Sequence, residues 1–176
     1  MTRKEHLRRV AILCCHCLRN LAYFKAGWHR NELILKDKFW INVNGNFLDI
    51  CVLEWCKLFG DLRGKHYWGK IITEPKSFYS GMLHELNIEE SDLDTLINEM
   101  RRYRDKFVAH LDSDKKMYIP SNLTLAQKSV AYLYDYIRAN EDEGDFFSDA
   151  PRKASAFLED HFKYGKTVYN ELKRTP

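Results

Sequence analysis

At 176 residues, 45% of them apolar and 14% aromatic, the chain has enough material for one packed core and is a poor match to a disordered segment. Its formal net charge of +3 is slight, so it permits an RNA partner without demanding one. No run approaches the roughly 18 uninterrupted apolar residues of a membrane span, so no membrane association is expected.

The opening "MTRKEHLRRVAILCCHCLRN" imitates a signal peptide only faintly, because its apolar run contains His16, stops at Arg19 and lacks a small-residue cleavage site. A cytoplasmic location and a single domain over residues 1–176 are the expectations. Leu7, Val10, Cys14, Cys17, Leu18 and Leu21 recur at three- and four-residue steps and predict a first helix from about Arg3 to Ala26, stopped by Gly27.

The five cysteines, Cys14, Cys15, Cys17, Cys51 and Cys56, are odd in number and lack framework spacing, which points to reduced thiols. Consecutive helical residues point about 100° apart, so "CCHC" cannot converge on one ion. Cys14 and Cys17 do share a face, and Cys51 or Cys56 can in principle complete a zinc site; buried thiols acting as small apolar residues are the competing reading. No metal or other cofactor is expected.

A second apolar set, Trp40, Val43, Phe47, Ile50, Cys51 and Leu58, keeps its period across "NGN" at 44–46, as one kinked helix or two in succession, and Gly60 ends it. "GDLRGKHYWGKIITEP" reads as a loop, and "PKSFYSGMLHELN" as a helix of about residues 75–87. "NIEESDLDTLINEMRRYRDKFVAH" opens on acids and turns basic, matching the charge preference of a helix from N- to C-terminus. A turn follows, with a short extended piece near Met117 to Ile119. Ser121 or Asn122 caps a helix to about Asn140, and an acidic linker leads to a last helix from Arg152 to Lys173. The predicted fold is all-α, an antiparallel bundle of five or six helices joined by short loops.

Several catalytic signatures are missing: Gly-rich phosphate loops, HExxH, an EF-hand loop and GxSxG. Attention falls on "RRYRDKFVAHLD" at 101–112. Leu93, Ile97, Met100, Val108 and Leu111 form an apolar stripe with Arg104 inside it. On an ideal α-helix His110 lies about 120° around from Arg104 and roughly 9 Å along the axis, so the two cannot easily grip one phosphodiester from a single helix. A twofold-related copy supplies a second Arg104 and His110 and closes the gap. Such a set suits RNA cleavage by its own 2′-hydroxyl, in which histidine serves as acid or base and arginine forks onto the phosphate.

Other readings stand beside this one. Arg104 can pair with an internal carboxylate such as Glu54 and lock two helices together. His110 can interact with its helix dipole, and Asp105 can be a solvated residue. Arg101, Arg102 and Lys106 form either a solvated face or an RNA-backbone patch. His66, Tyr67 and Trp68 either stack a base or fold back on the core.

"RRYRDKFVAHLD" resembles the signature of the HEPN superfamily, the higher eukaryotes and prokaryotes nucleotide-binding domains: an arginine, a polar residue, and a histidine four to six residues after the arginine, near a helix end. The matching positions are Arg104, Asp105 and His110, with aspartate in place of the commoner asparagine. "LEWCKLFGD" at 53–61 and "KHYW" at 65–68 are similar to HEPN proteins grouped with AbiU-type abortive-infection systems. The resemblance spans roughly residues 35–140. It implies a helical bundle, often a homodimer, with metal-independent endoribonuclease activity, acting in phage defence, with a nucleotidyltransferase antitoxin, or in RNA processing. Arg104 then grips the scissile phosphate, His110 is acid or base, and Asp105 orients one of them. Arg101, Lys106 and His66 are the candidate RNA contacts.

Overall fold

In the computed structural model, which describes residues 2–109, 119–142 and 148–174, six α-helices carry the architecture. Helix α1 (Arg3–Ala26) starts at a capping box, in which Thr2 accepts from the Glu5 N–H and Glu5 reaches back to the Thr2 N–H. Its apolar stripe, from Leu7 through Leu21, is buried against three partners: α2 (Lys38–Trp55), α5 (Leu123–Tyr136) and α6 (Ala154–Arg174). Helix α3 (Pro75–Leu86) packs on α5, and α4 (Glu90–Tyr103) packs on the C-terminal end of α2. One contiguous cluster of buried side chains runs from Leu7 to Ala154. The all-α bundle follows from these stripes.

Helix α2 runs unbroken through "NGN", settling the alternative left open by the sequence. Asn44 is tolerated inside because its amide is satisfied: Nδ2 donates to the Phe24 carbonyl at 3.0 Å and to the Tyr169 hydroxyl at 3.2 Å, and Oδ1 accepts from Trp28 Nε1 at 3.0 Å. This network fixes α1, α2 and α6 relative to one another. A Cβ at Gly27 would meet Asn44 Nδ2 at 2.3 Å, so the close approach requires glycine there.

A small ribbon, β1 (Trp28–His29) paired antiparallel with β2 (Glu32–Leu33), went unforeseen. Its turn residues, Arg30 and Asn31, both have positive φ, as a type I′ hairpin demands. Two residues per strand are too few for alternation to show in a sequence.

Among the described residues, three helices end in wider π-helical turns: α2 in Cys56–Gly60, α4 in Arg104–Ala109 and α5 in Ile137–Glu141. Asn122, not Ser121, caps α5, its Oδ1 accepting from the Leu125 N–H at 2.9 Å. The last helix begins at Ala154 rather than Arg152, where Asp135 accepts from the Ala154 N–H at 3.0 Å. The expected extended piece near Met117 lies, up to Ile119, outside the described residues. No helix among the described residues is long and apolar enough to cross a membrane.

Candidate functional site at the paired helix ends

Helix α4 buries Leu93, Leu96, Met100 and Tyr103, so its core face is centred one step away from the expected stripe. Arg101 and Arg104 fall on the flank of that face and meet the end of α2. The last carbonyls of a helix have no partner within it and carry negative partial charge. Arg101 answers this directly, donating from Nε to the Gly60 carbonyl at 2.7 Å and from Nη2 to the same oxygen. Asp61 follows Gly60, and its Oδ1 accepts from Arg104 Nη1 at 2.7 Å.

Arg104 is the first residue of the π-helical turn, and Asp105 is the second. The Asp105 carboxylate accepts from Arg104 Nε at 2.8 Å. The guanidinium side chain is 22% exposed, between Asp61 at 42% and Asp105 at 56%. It is therefore sheltered on one side and open to water on the other. The bond to Asp105 first, against burial, and then the bond to Asp61 hold Arg104 more firmly protonated than free arginine. Chemically this is a permanent, oriented cation that reaches water past two carboxylates.

Neighbouring groups fix the frame. The Tyr103 hydroxyl donates to Asp49 of α2 at 2.7 Å, and burial, then the Asp49 hydrogen bond and charge, push the phenol above its ordinary range. Cys56 beneath the pair is fully buried, and burial pushes its thiol up to about 12 despite Arg104, so it is no nucleophile at neutral pH. Glu54, the carboxylate suggested for Arg104, instead accepts from Lys57 at 3.1 Å. The helical period put Glu54 near the right face, but the π-helical turn carries the end of α2 round so that Asp61 takes the place.

The structure brings Arg101, Arg104 and Asp105 together and adds Asp61, whose pairing has no signal in the local sequence. Lys106 is half-buried in the same turn. His110 lies outside the described residues. Its expected angle assumed α-helical winding, whereas from Arg104 the chain closes i→i+5 hydrogen bonds, so 100° per residue does not carry through to position 110. His66 contacts α1 rather than this cluster, its ring edge-on to His6 with centroids 5.5 Å apart. Burial, then His6, Lys65, Lys57 and Arg9, lower its pKa. Trp68 has folded back and is buried, stacked parallel to Tyr79 at 5.8 Å, while Tyr67 stays half-exposed.

Cys17 and Cys51 bring their sulfurs to 3.6 Å across α1 and α2. Among the described residues, no group of three or more His, Cys, Asp or Glu side chains converges as metal ligands would.

Comparison with models of known protein families, with curated proteins and with solved structures yields no match to this chain.

Proposed function

We propose that this chain is a metal-independent endoribonuclease of HEPN type, cleaving RNA by attack of its own 2′-hydroxyl. The observation that carries the reading is Arg104, held at the meeting of two π-helical turns by Asp61 and Asp105 while one side stays open to water. π-helical turns recur at functional sites, and an arginine oriented by carboxylates is ready to exchange one of them for a phosphate. In this reading Arg104 grips the scissile phosphate, Asp105 orients it, and His110 moves the proton as acid or base. Arg101 and Lys106 supply further positive charge to the backbone, with His66 at a more distant contact.

The proposal extends to a homodimer whose twofold axis pairs the two motif turns, to a cytoplasmic role in phage defence or RNA processing, and to a nucleotidyltransferase antitoxin as partner. The test is incubation of the purified protein with RNA in EDTA, comparing wild type with Arg104→Ala and His110→Ala. Cleavage that leaves 2′,3′-cyclic phosphate ends and is lost in both variants supports the site; cleavage indifferent to both removes it.

A second reading has its own observation. The Arg104–Asp61 ion pair joins α4 to α2 within one chain, as a non-catalytic HEPN domain that binds RNA, a nucleotide or a protein would have it. That reading makes Arg104 a lock, and it requires a folded Arg104→Ala variant to be much less stable.

A further inference from the structure

Along α4, Asp94, Asn98 and Arg101 are spaced i, i+4 and i+7, which sets them on one face of the helix. That face forms one wall of a cleft of about 620 Å³. The cleft also takes in Tyr67, Trp68 and Tyr79, so an aromatic lining meets a polar edge. Tyr79 is held in place by its neighbour: its ring lies parallel to Trp68, 5.8 Å between centroids with 6° between planes. Phe59 and Leu93, both buried, supply apolar surface at the bottom.

The cleft adjoins the arginine site. Arg101 lines it and also donates to the Gly60 carbonyl, one residue before the carboxylate that holds Arg104. At 1.5 Å rise per residue, Arg101 precedes Arg104 by about 4.5 Å along the axis and Asp94 precedes it by about 15 Å. A strand whose phosphate sits at Arg104 therefore has a neighbouring base within reach of this face.

The polar groups discriminate among bases. A carboxylate only accepts hydrogen bonds, and its two oxygens match two adjacent N–H donors. Among the RNA bases, guanine offers that edge at N1 and its 2-amino group, while its O6 and N7 acceptors suit arginine. Asp94 and Arg101 provide this pair of functions from opposite ends of one helical face, with Asn98 between them. The carboxylates of Glu90 and Asp94, which outnumber Lys76 among the lining residues, repel phosphate, so a nucleotide enters with its base on this face and its phosphate directed toward Arg104.

We infer that this cleft takes a guanine base, stacked on the tyrosines, with Asp94 accepting from its donor edge and Arg101 and Asn98 facing its acceptors. Placing that base in an RNA strand rests on the ribonuclease reading; recognition of the base does not. Calorimetric titration of the full chain with GMP, IMP, AMP, CMP and UMP tests it without any cleavage. GMP binds about tenfold tighter than AMP, CMP and UMP, IMP lies between because it lacks the 2-amino group, and Asp94→Asn erases the preference without moving the melting temperature. Tyr79→Ala weakens all five. Equal binding of the five, or a preference untouched by Asp94→Asn, overturns the inference whatever the cleavage assay shows. A hexanucleotide RNA with one guanine binding tighter than GTP supports the strand assignment; the reverse order overturns it in favour of a free nucleotide. Guanine preference without RNA cleavage upholds base recognition and leaves the ribonuclease reading as the part that failed.

Discussion

Replacing Arg104 by alanine separates a phosphate grip from a helix lock, because the two put different energies into the Arg104–Asp61 pair. The side chains are 22% and 42% exposed, so water reaches both ends and screens their attraction. Pairs of this exposure contribute on the order of 1 kcal/mol, whereas breaking a fully buried pair costs about 3–5 kcal/mol. Lost packing of the arginine's mostly covered stem brings the expected destabilisation to about 1–2 kcal/mol. For a chain of this length that corresponds to a melting shift of roughly 2–8 °C. Urea unfolding followed by tryptophan fluorescence measures it, with the slope unchanged between variants. A cycle with Asp61→Asn isolates the pair itself, for which the expected coupling is about 0.5–1 kcal/mol. Destabilisation above about 3 kcal/mol, with coupling of similar size, would refute the argument from exposure and make Arg104 a structural lock.

Glu141 is 3% exposed and accepts from the Thr73 N–H at 2.8 Å, the Thr73 hydroxyl at 2.7 Å and Arg3, tying α1, the loop before α3 and the end of α5 together. Glu141→Ala removes these hydrogen bonds from a buried position, but Thr73 and Arg3 are exposed and regain water, so the expected cost is about 1–2 kcal/mol in the same urea assay. A change below about 0.5 kcal/mol would show the clamp to be idle. His66 binds its proton less readily in the folded chain than in the unfolded one, so protonation favours unfolding. Stability therefore falls as pH drops from 7 through the ordinary histidine range, and His66→Gln flattens part of that fall; an unchanged profile would contradict the assignment. Cys56, fully buried with its thiol near 12, resists iodoacetamide at pH 8 in the native chain and reacts once urea is added, as peptide mass mapping would show. Rapid native labelling would mean that the end of α2 opens.

Helices were legible wherever an apolar stripe met an end signal: a helix from about Arg3 to Ala26 is expected and found, with Gly27 as its stop, while the Thr2–Glu5 capping box at its start emerges from the structure. Asn44 shows the limit. Its period was readable, but only tertiary partners on α1, the ribbon and α6 decide that an asparagine stays inside an unbroken helix. The site was half legible. Arg104 stood out as a charge in an apolar pattern, and Asp105 beside it came from the motif. Asp61 gave no local signal, since its pairing depends on the π-helical turn of α2, and nothing in "CKLFGD" at 56–61 announces an i→i+5 bond. The same widening at Arg104 defeats α-helical arithmetic toward His110. For Arg101 the sequence offered a solvated charge or an RNA-backbone contact but not its bond to the Gly60 carbonyl, because helix-end carbonyls have no sequence signature of their own.

The central claim is that Arg104 holds an RNA phosphate, and the most direct measurement is cleavage of a defined RNA in EDTA by wild type, Arg104→Ala and Arg104→Lys. Loss of one arranged cation from a transition state costs about 10²–10³-fold in rate, so Arg104→Ala falls by that factor. Lysine keeps the charge but loses the fork, so it recovers part of the rate. The products carry 2′,3′-cyclic phosphates. Wild-type protein that leaves the RNA intact, or a folded Arg104→Ala that cleaves as fast as wild type, would contradict the account.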